Sequence, residues 1–133
     1  MDKIYYDLEH ANKLVSKIKL ILKKIIQYNK QLIVISETTI QYEDEFKDFY
    51  QSTKESKAWH KLHYSFFEKL HKLAELGILV KDPAIGLIDF YSIHQDREIF
   101  LCYRYPEEKI QYWHEIESGF TGRQSVKLLQ EQN

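Results

Sequence analysis

Five residues of the C-terminal half are of types that can do chemistry: Asp89, Cys102, Arg104, His114 and Glu115. A thiol, an imidazole and a carboxylate are the parts of a nucleophilic triad. With Arg104 and Glu115 the set also suits a small-ligand or metal-dependent enzyme. Arg104 offers a planar two-pronged donor for an anion, and Trp113 a surface for stacking a planar or cationic group. Arg123 follows in Gly119-Phe-Thr-Gly-Arg-Gln124, which lacks the Gly-Lys-Ser ending of a phosphate-binding loop and the helix of a dinucleotide fingerprint. Only three arginines stand against sixteen lysines. Two of them, Arg104 and Arg123, fall within this stretch, where guanidinium geometry would matter.

Strand parity decides which of these side chains can meet. Leu87–Ile93 and Glu98–Tyr105 are aromatic and β-branched runs joined by a short turn. If Gln95 and Asp96 are its central residues, Asp89 lies opposite Cys102 and Leu87 opposite Arg104. Ile88, Phe90 and Ser92 then share the core face with Ile99, Leu101 and Tyr103. A third run, Lys109–Ile116, alternates. Burying Ile110, Tyr112 and Ile116 puts Gln111, Trp113 and Glu115 on the outer face with Asp89, Cys102 and Arg104, and His114 on the core side. That separation weighs against the triad, as does the usual role of a mid-strand cysteine as a small hydrophobe. The plainer reading is an Asp89–Arg104 or Glu115–Arg104 ion pair, with Arg123 also meeting an acid among Asp89, Glu115 and Glu117. No metal site is expected beyond the weak pair His60 and His63, whose i,i+3 spacing can share an ion but has no carboxylate at i+4. Solvated or interfacial histidines are the favoured reading there. No resident cofactor is expected.

The elements that would hold these residues divide the chain in two. Residues 1–76 contain no glycine and no proline, whereas 77–133 hold all four glycines and both prolines. The first half therefore reads as helix and the second as hairpins and loops. A helix starts at Asp7, whose carboxylate caps the first turn, with Glu9 favoured by the dipole. Ala11, Leu14, Ile18, Ile21, Ile25, Tyr28, Leu32 and Ile35 form a heptad seam, continued in phase by Thr39, Tyr42, Phe46 and Phe49. The β-branched cluster before Ser36-Glu-Thr-Thr predicts a break near 36–40. Ser52-Thr-Lys-Glu55 is a capping-box pattern for a second start, and Trp59, Leu62, Phe66, Leu70 and Leu73 give that helix its apolar face. Gly77 ends it. Ile4-Tyr-Tyr6 can add an edge strand.

The expected architecture is α+β: a long antiparallel hairpin of two or three helices packed on a small antiparallel sheet. One domain spans 1–133, with a helical part about 7–77, a sheet and C-terminal loop about 85–124, and a polar tail 125–133. At 133 residues, 44% hydrophobic and 29% charged, the chain can bury one core and stay in solution. A net charge of −1 argues against a dedicated nucleic-acid binder. A lone cysteine excludes an internal disulfide framework and a zinc site built on several cysteines. No apolar run approaches the roughly 20 residues of a membrane span. Lys3, Asp7, Glu9 and His10 come too early for a secretory segment, so a cytoplasmic location is expected.

Several motifs together resemble one family. They read Gly77-Ile-Leu-Val-Lys-Asp82, Gly86-Leu-Ile-Asp-Phe90, Leu101-Cys-Tyr-Arg104, Tyr112-Trp-His-Glu115 and Gly119-Phe-Thr-Gly-Arg-Gln124. In that order they resemble the uncharacterised bacterial and archaeal family known as domain of unknown function 2203, and Tyr6-Asp-Leu-Glu-His-Ala11 is similar to its opening. Tyr91 stands where the family has proline, Tyr103 where it has tryptophan, and Gln95-Asp96 where it has an Asp-Gly turn. The resemblance implies a helical hairpin with a small sheet and implies no activity.

Three functions follow as expectations. The first is a non-enzymatic interaction or regulatory module whose motif face meets an unknown protein or small ligand. The second is the small-ligand or metal-dependent enzyme already described. The third is a lipid or RNA surface binder using Lys13, Lys17, Lys19, Lys23, Lys24 and Lys30, which fall in a window free of Asp and Glu. Against it, Glu43, Asp44, Glu45 and Asp48 can face those lysines across the hairpin. Apolar Val15, Leu20, Leu22 and Ile26 beyond the seam predict a homodimer through the helices.

Overall fold

The computed structural model of the protein describes residues 3–37 and 45–132. Helix α1 spans Leu8–Glu37 and α2 spans Glu45–Glu75. Strands β1 (Ile78–Asp82), β2 (Leu87–His94), β3 (Arg97–Arg104), β4 (Tyr112–Glu115) and β5 (Gln124–Ser125) follow, and α3 (Val126–Gln132) closes the chain. The strands form one five-stranded antiparallel sheet in sequence order, so each strand pairs with the next. The expected α+β architecture is thus the observed one.

Asp7 caps α1, its Oδ1 accepting the His10 backbone N–H at 2.8 Å. Helix α1 is described as far as Glu37, and most of the expected break, near 36–40, lies outside the described residues. The expected second start is corrected: α2 begins at Glu45, so Ser52–Glu55 lies inside a helix that was already under way. The seam residues Thr39, Tyr42, Phe46 and Phe49, and the acidic run from Glu43 to Asp48, lie outside the residues whose side chains are described. Gly77 takes φ 76° and its N–H reaches the Ala74 carbonyl at 2.9 Å. A Cβ there would also meet the Ile4 Cβ at 2.8 Å, so only glycine ends α2 in this way.

The core lies between the helices and one sheet face. Ala11, Val15, Ile18, Leu22 and Ile25 of α1 meet Phe66 and Leu73 of α2 and Ile88, Phe90, Ile99, Leu101 and Tyr103 of the sheet. Leu14, Ile21 and Leu70, placed at its centre by the heptad reading, are only partly buried against it. The cause is two-sided burial. Both α2 and the sheet cover α1, so its apolar stripe is wider than a coiled-coil seam. Val15 and Leu22, apolar positions beyond the seam, are fully buried within the chain, while Leu20 stays 73% exposed.

The sequence reading misses β1 and β5. Residues 125–133, read as a polar tail, contain α3, which buries Val126 and Leu129 at i,i+3 spacing. Ile4–Tyr6 contributes a single parallel bridge, Tyr5 to Tyr91, instead of an edge strand. No helix among the described residues is long and apolar enough to cross a membrane.

Candidate functional site

The β2–β3 hairpin has the expected register. Gln95 and Asp96 both adopt positive φ, 52° and 60°, as a two-residue type I′ turn requires. Asp89 therefore pairs with Cys102, and Leu87 with Arg104. Ile88, Phe90 and Ser92 face the helices, so Asp89 and Cys102 face the other side of the sheet.

The third strand differs by one position. Tyr112 pairs with Cys102, Trp113 with Leu101, His114 with Phe100 and Glu115 with Ile99. His114 therefore shares the face of Asp89 and Cys102, while Trp113 and Glu115 lie on the helix-facing side. This corrects the expected placement of all three. Alternation holds only along an unbroken strand. Ile110 is buried as expected, but it precedes the strand, in a loop tied to α1 by the Asn12 Oδ1 that accepts its backbone N–H at 2.7 Å. Counting parity from Ile110 through that loop gives the wrong face. Tyr112 is half-buried and Ile116 exposed, where both were expected in the core.

Asp89, Cys102 and His114 meet at the bottom of a cavity of ≈ 150 Å³ on the outer sheet face. All three are buried, at 1%, 2% and 3% exposure. The walls are Lys81, Leu87, Phe100 and Ile116, with Gly119 and Phe120 arching over from the loop after β4. That loop is a tight turn in which the Gly122 N–H reaches the Gly119 carbonyl at 3.1 Å. A Cβ on Gly122 would come within 2.4 Å of the Ser118 Cβ, so the turn depends on glycine at that position. It sets Arg123 with its guanidinium carbon 3.8 Å from the Phe120 ring centroid and 4.4 Å from that of Tyr112, beside the Cys102 thiol.

Both His114 nitrogens have partners. Nδ1 lies 2.8 Å from the Glu115 carbonyl oxygen, which can only accept, so Nδ1 carries a proton. Nε2 lies 3.2 Å from each Asp89 oxygen. That is longer than the roughly 2.7–2.9 Å of a charge-assisted bond. Burial pulls the His114 pKa down, but the bonds to Asp89 and to the Glu115 carbonyl outweigh it and leave it raised. Burial, reinforced by the Asp89 charge and opposed by Arg123, pushes the Cys102 thiol up to about 12. His114 Nε2 pairs with the Asp89 carboxylate and not with the thiol, so the imidazole is not placed as the base of Cys102. The triad residues do meet, in an arrangement that does not make a triad.

The same three side chains suit a metal ion. A histidine ligand ordinarily donates its second N–H to a carbonyl or carboxylate, as Nδ1 does here. Ligand atoms of all three residues lie within 4.8 Å of one another. Two ligand atoms held about 2.1 Å from a tetrahedral ion lie about 3.4 Å apart, close to the His114–Asp89 separation.

The remaining candidates fall elsewhere. Arg104 is on the outer face but exposed, and among the described residues it joins no ion pair. The acid paired with an arginine is Glu115, which meets Arg97 at 2.6 Å, and the Arg97 Nε reaches both of its oxygens at 3.1 Å. Neither Arg104 nor Arg123 meets Asp89, Glu115 or Glu117 in an ion pair among the described residues, which corrects the expected set. Trp113 is buried near His94, and among the described residues its indole N–H meets no acceptor. His63 stacks on Trp59 at 4.4 Å, and His60 makes a T-shaped contact with the same ring at 5.0 Å. Lys81 and Phe100 were missed. Phe100 could have been found, since it shares parity with Cys102, whereas Lys81 belongs to the strand that was not read.

All five of the separated motifs thus meet at one cavity: Lys81, Asp89, Cys102, His114 and Phe120 line it, and Arg123 lies beside Cys102. No curated protein and no solved structure matches the chain. Residues 4–126 match the family described as "Uncharacterized conserved protein (DUF2203)", and the chain belongs to that family.

Proposed function

We propose that the protein binds a divalent transition metal ion of the zinc class through Asp89, Cys102 and the Nε2 of His114. The observation that carries this is the convergence of one carboxylate, one thiol and one imidazole whose other nitrogen is already tied to a carbonyl. A thiolate ligand favours zinc-like ions over magnesium or calcium. An ion would also reverse the local acid–base order, because a coordinated thiol loses its proton outright. Three protein ligands leave one tetrahedral position free, the arrangement of zinc sites that act on a bound water or substrate.

The burial of the three residues and the ≈ 150 Å³ of the cavity support a small ligand at this face. A homodimer through the helices has less support than the sequence suggested, because Val15 and Leu22 are covered by the chain itself. Zinc titration of chelator-treated protein tests the metal reading. One ion per chain is expected, with affinity falling roughly a hundredfold or more in Cys102→Ser and in His114→Gln. Undiminished affinity in Cys102→Ser, or no uptake by the wild type, would overturn it.

A further inference from the structure

Two cations stand close to the three candidate ligands without a carboxylate of their own. Lys81 lines the cavity, its Nζ 5.0 Å from the Phe100 ring centroid. Arg123 lies beside Cys102 with its guanidinium against the rings of Tyr112 and Phe120. Among the described residues neither joins an ion pair. Asp89, the carboxylate within the cavity, is already committed to His114. With a divalent ion bound, Asp89 and the Cys102 thiolate balance its charge, and Arg123 and Lys81 leave the opening positive. Leu87, Phe100, Ile116 and Phe120 supply low-dielectric walls, which strengthen the attraction of an anion.

The geometry narrows the class of anion. The two rings beside Arg123 restrict its guanidinium plane, which pre-organises a two-pronged contact with a carboxylate or phosphate group. A water's share of liquid volume is about 30 Å³, so ≈ 150 Å³ admits a few heavy atoms and excludes a nucleotide or peptide. We infer that the free coordination position takes a small oxyanion, a carboxylate or phosphate group, held against the metal ion by Arg123 and Lys81. This inference rests on the metal reading above.

Cobalt-loaded protein, titrated with acetate and separately with inorganic phosphate, tests it through the visible absorption of the ion. The expected result is a saturable spectral shift with at least one of the two anions. With both variants fully loaded with cobalt, it should need about tenfold more anion in Arg123→Gln and in Lys81→Gln. A stronger response to acetate identifies a carboxylate ligand, and a stronger response to phosphate a phosphoryl one. Lys81 is exposed, so its variant keeps the test decisive should Arg123→Gln fail to fold. Full cobalt uptake with no shift by either anion, or wild-type anion affinity in the variants, overturns the oxyanion site and leaves the metal centre standing. A wild type that takes up no cobalt overturns both.

Discussion

His114 limits what the cavity can do, because a carbonyl holds one of its nitrogens and a carboxylate faces the other. In metal-free protein Asp89 is its buried partner. Asp89→Ala should cost about 3–5 kcal/mol in thermal or denaturant unfolding, the range for removing one member of a buried pair. A loss below about 1 kcal/mol would show that the pair adds little. Arg104 makes the opposite case. Exposed and outside any ion pair among the described residues, it should accept lysine within about 0.5 kcal/mol, although the cross-strand register suggested an anchoring ion pair with Asp89 or Glu115. A large fall in melting temperature for Arg104→Lys would reveal a contact that this geometry lacks. At this scale the sequence disclosed which residue types mattered but not which would touch. Asp89 and Cys102 were legible because a two-residue turn sets their pairing. His114 was not, because the loop before β4 resets the alternation that parity depends on.

Turns and caps decide the elements. Gln95 and Asp96 occupy left-handed backbone, which costs a side-chain-bearing residue about 1–2 kcal/mol, against roughly 0.5–1 kcal/mol of extra chain entropy for glycine. Asp96→Gly should therefore stabilise the hairpin by about 0.5 kcal/mol, read as a higher melting temperature, and a lower one would contradict the turn type. Asp7 is the cap of α1, and its carboxyl is held below the usual range first by the His10 N–H, burial opposing. A depressed folded-state value means that the capping contribution is complete above the ordinary aspartate value of about 3.9 and is lost as pH falls through the lower folded value. Asp7→Asn should flatten that acid limb, and an unchanged limb would remove the cap from the account. Gly122→Ala, forced against Ser118, should destabilise the loop that carries Arg123 and raise amide exchange over 116–123. Ser118→Gly in the same chain should reverse most of that. The helices and the central hairpin were legible from periodicity and breakers. β1, β5 and α3 were not: two of them are too short to show a period, and β1 follows Gly77 so closely that its residues read as the end of the helix.

The whole molecule is organised by α1, which has a neighbour on each of two sides. A heptad seam describes a helix with one partner, and the sequence alone could not show that the sheet would supply a second. Ala11, Ile18 and Ile25 belong to the core under either description, so they cannot discriminate. Leu22 and Ile21 can. Leu22 is fully enclosed, and its truncation to alanine should cost about 2–5 kcal/mol, the range for a buried leucine whose cavity cannot collapse. Ile21, central to the seam but only half-buried, should cost less, about 1–2 kcal/mol. Leu20, exposed to solvent, should change stability by no more than about 0.5 kcal/mol in a monomer. Equilibrium denaturation of the three variants gives the ranking. An inverted order, with Ile21 costlier than Leu22, would return α1 to a single-partner seam and take the sheet out of the core. A concentration-dependent loss at Leu20 would instead place a second copy of the chain on that face, because an interface residue contributes only when the interface is occupied.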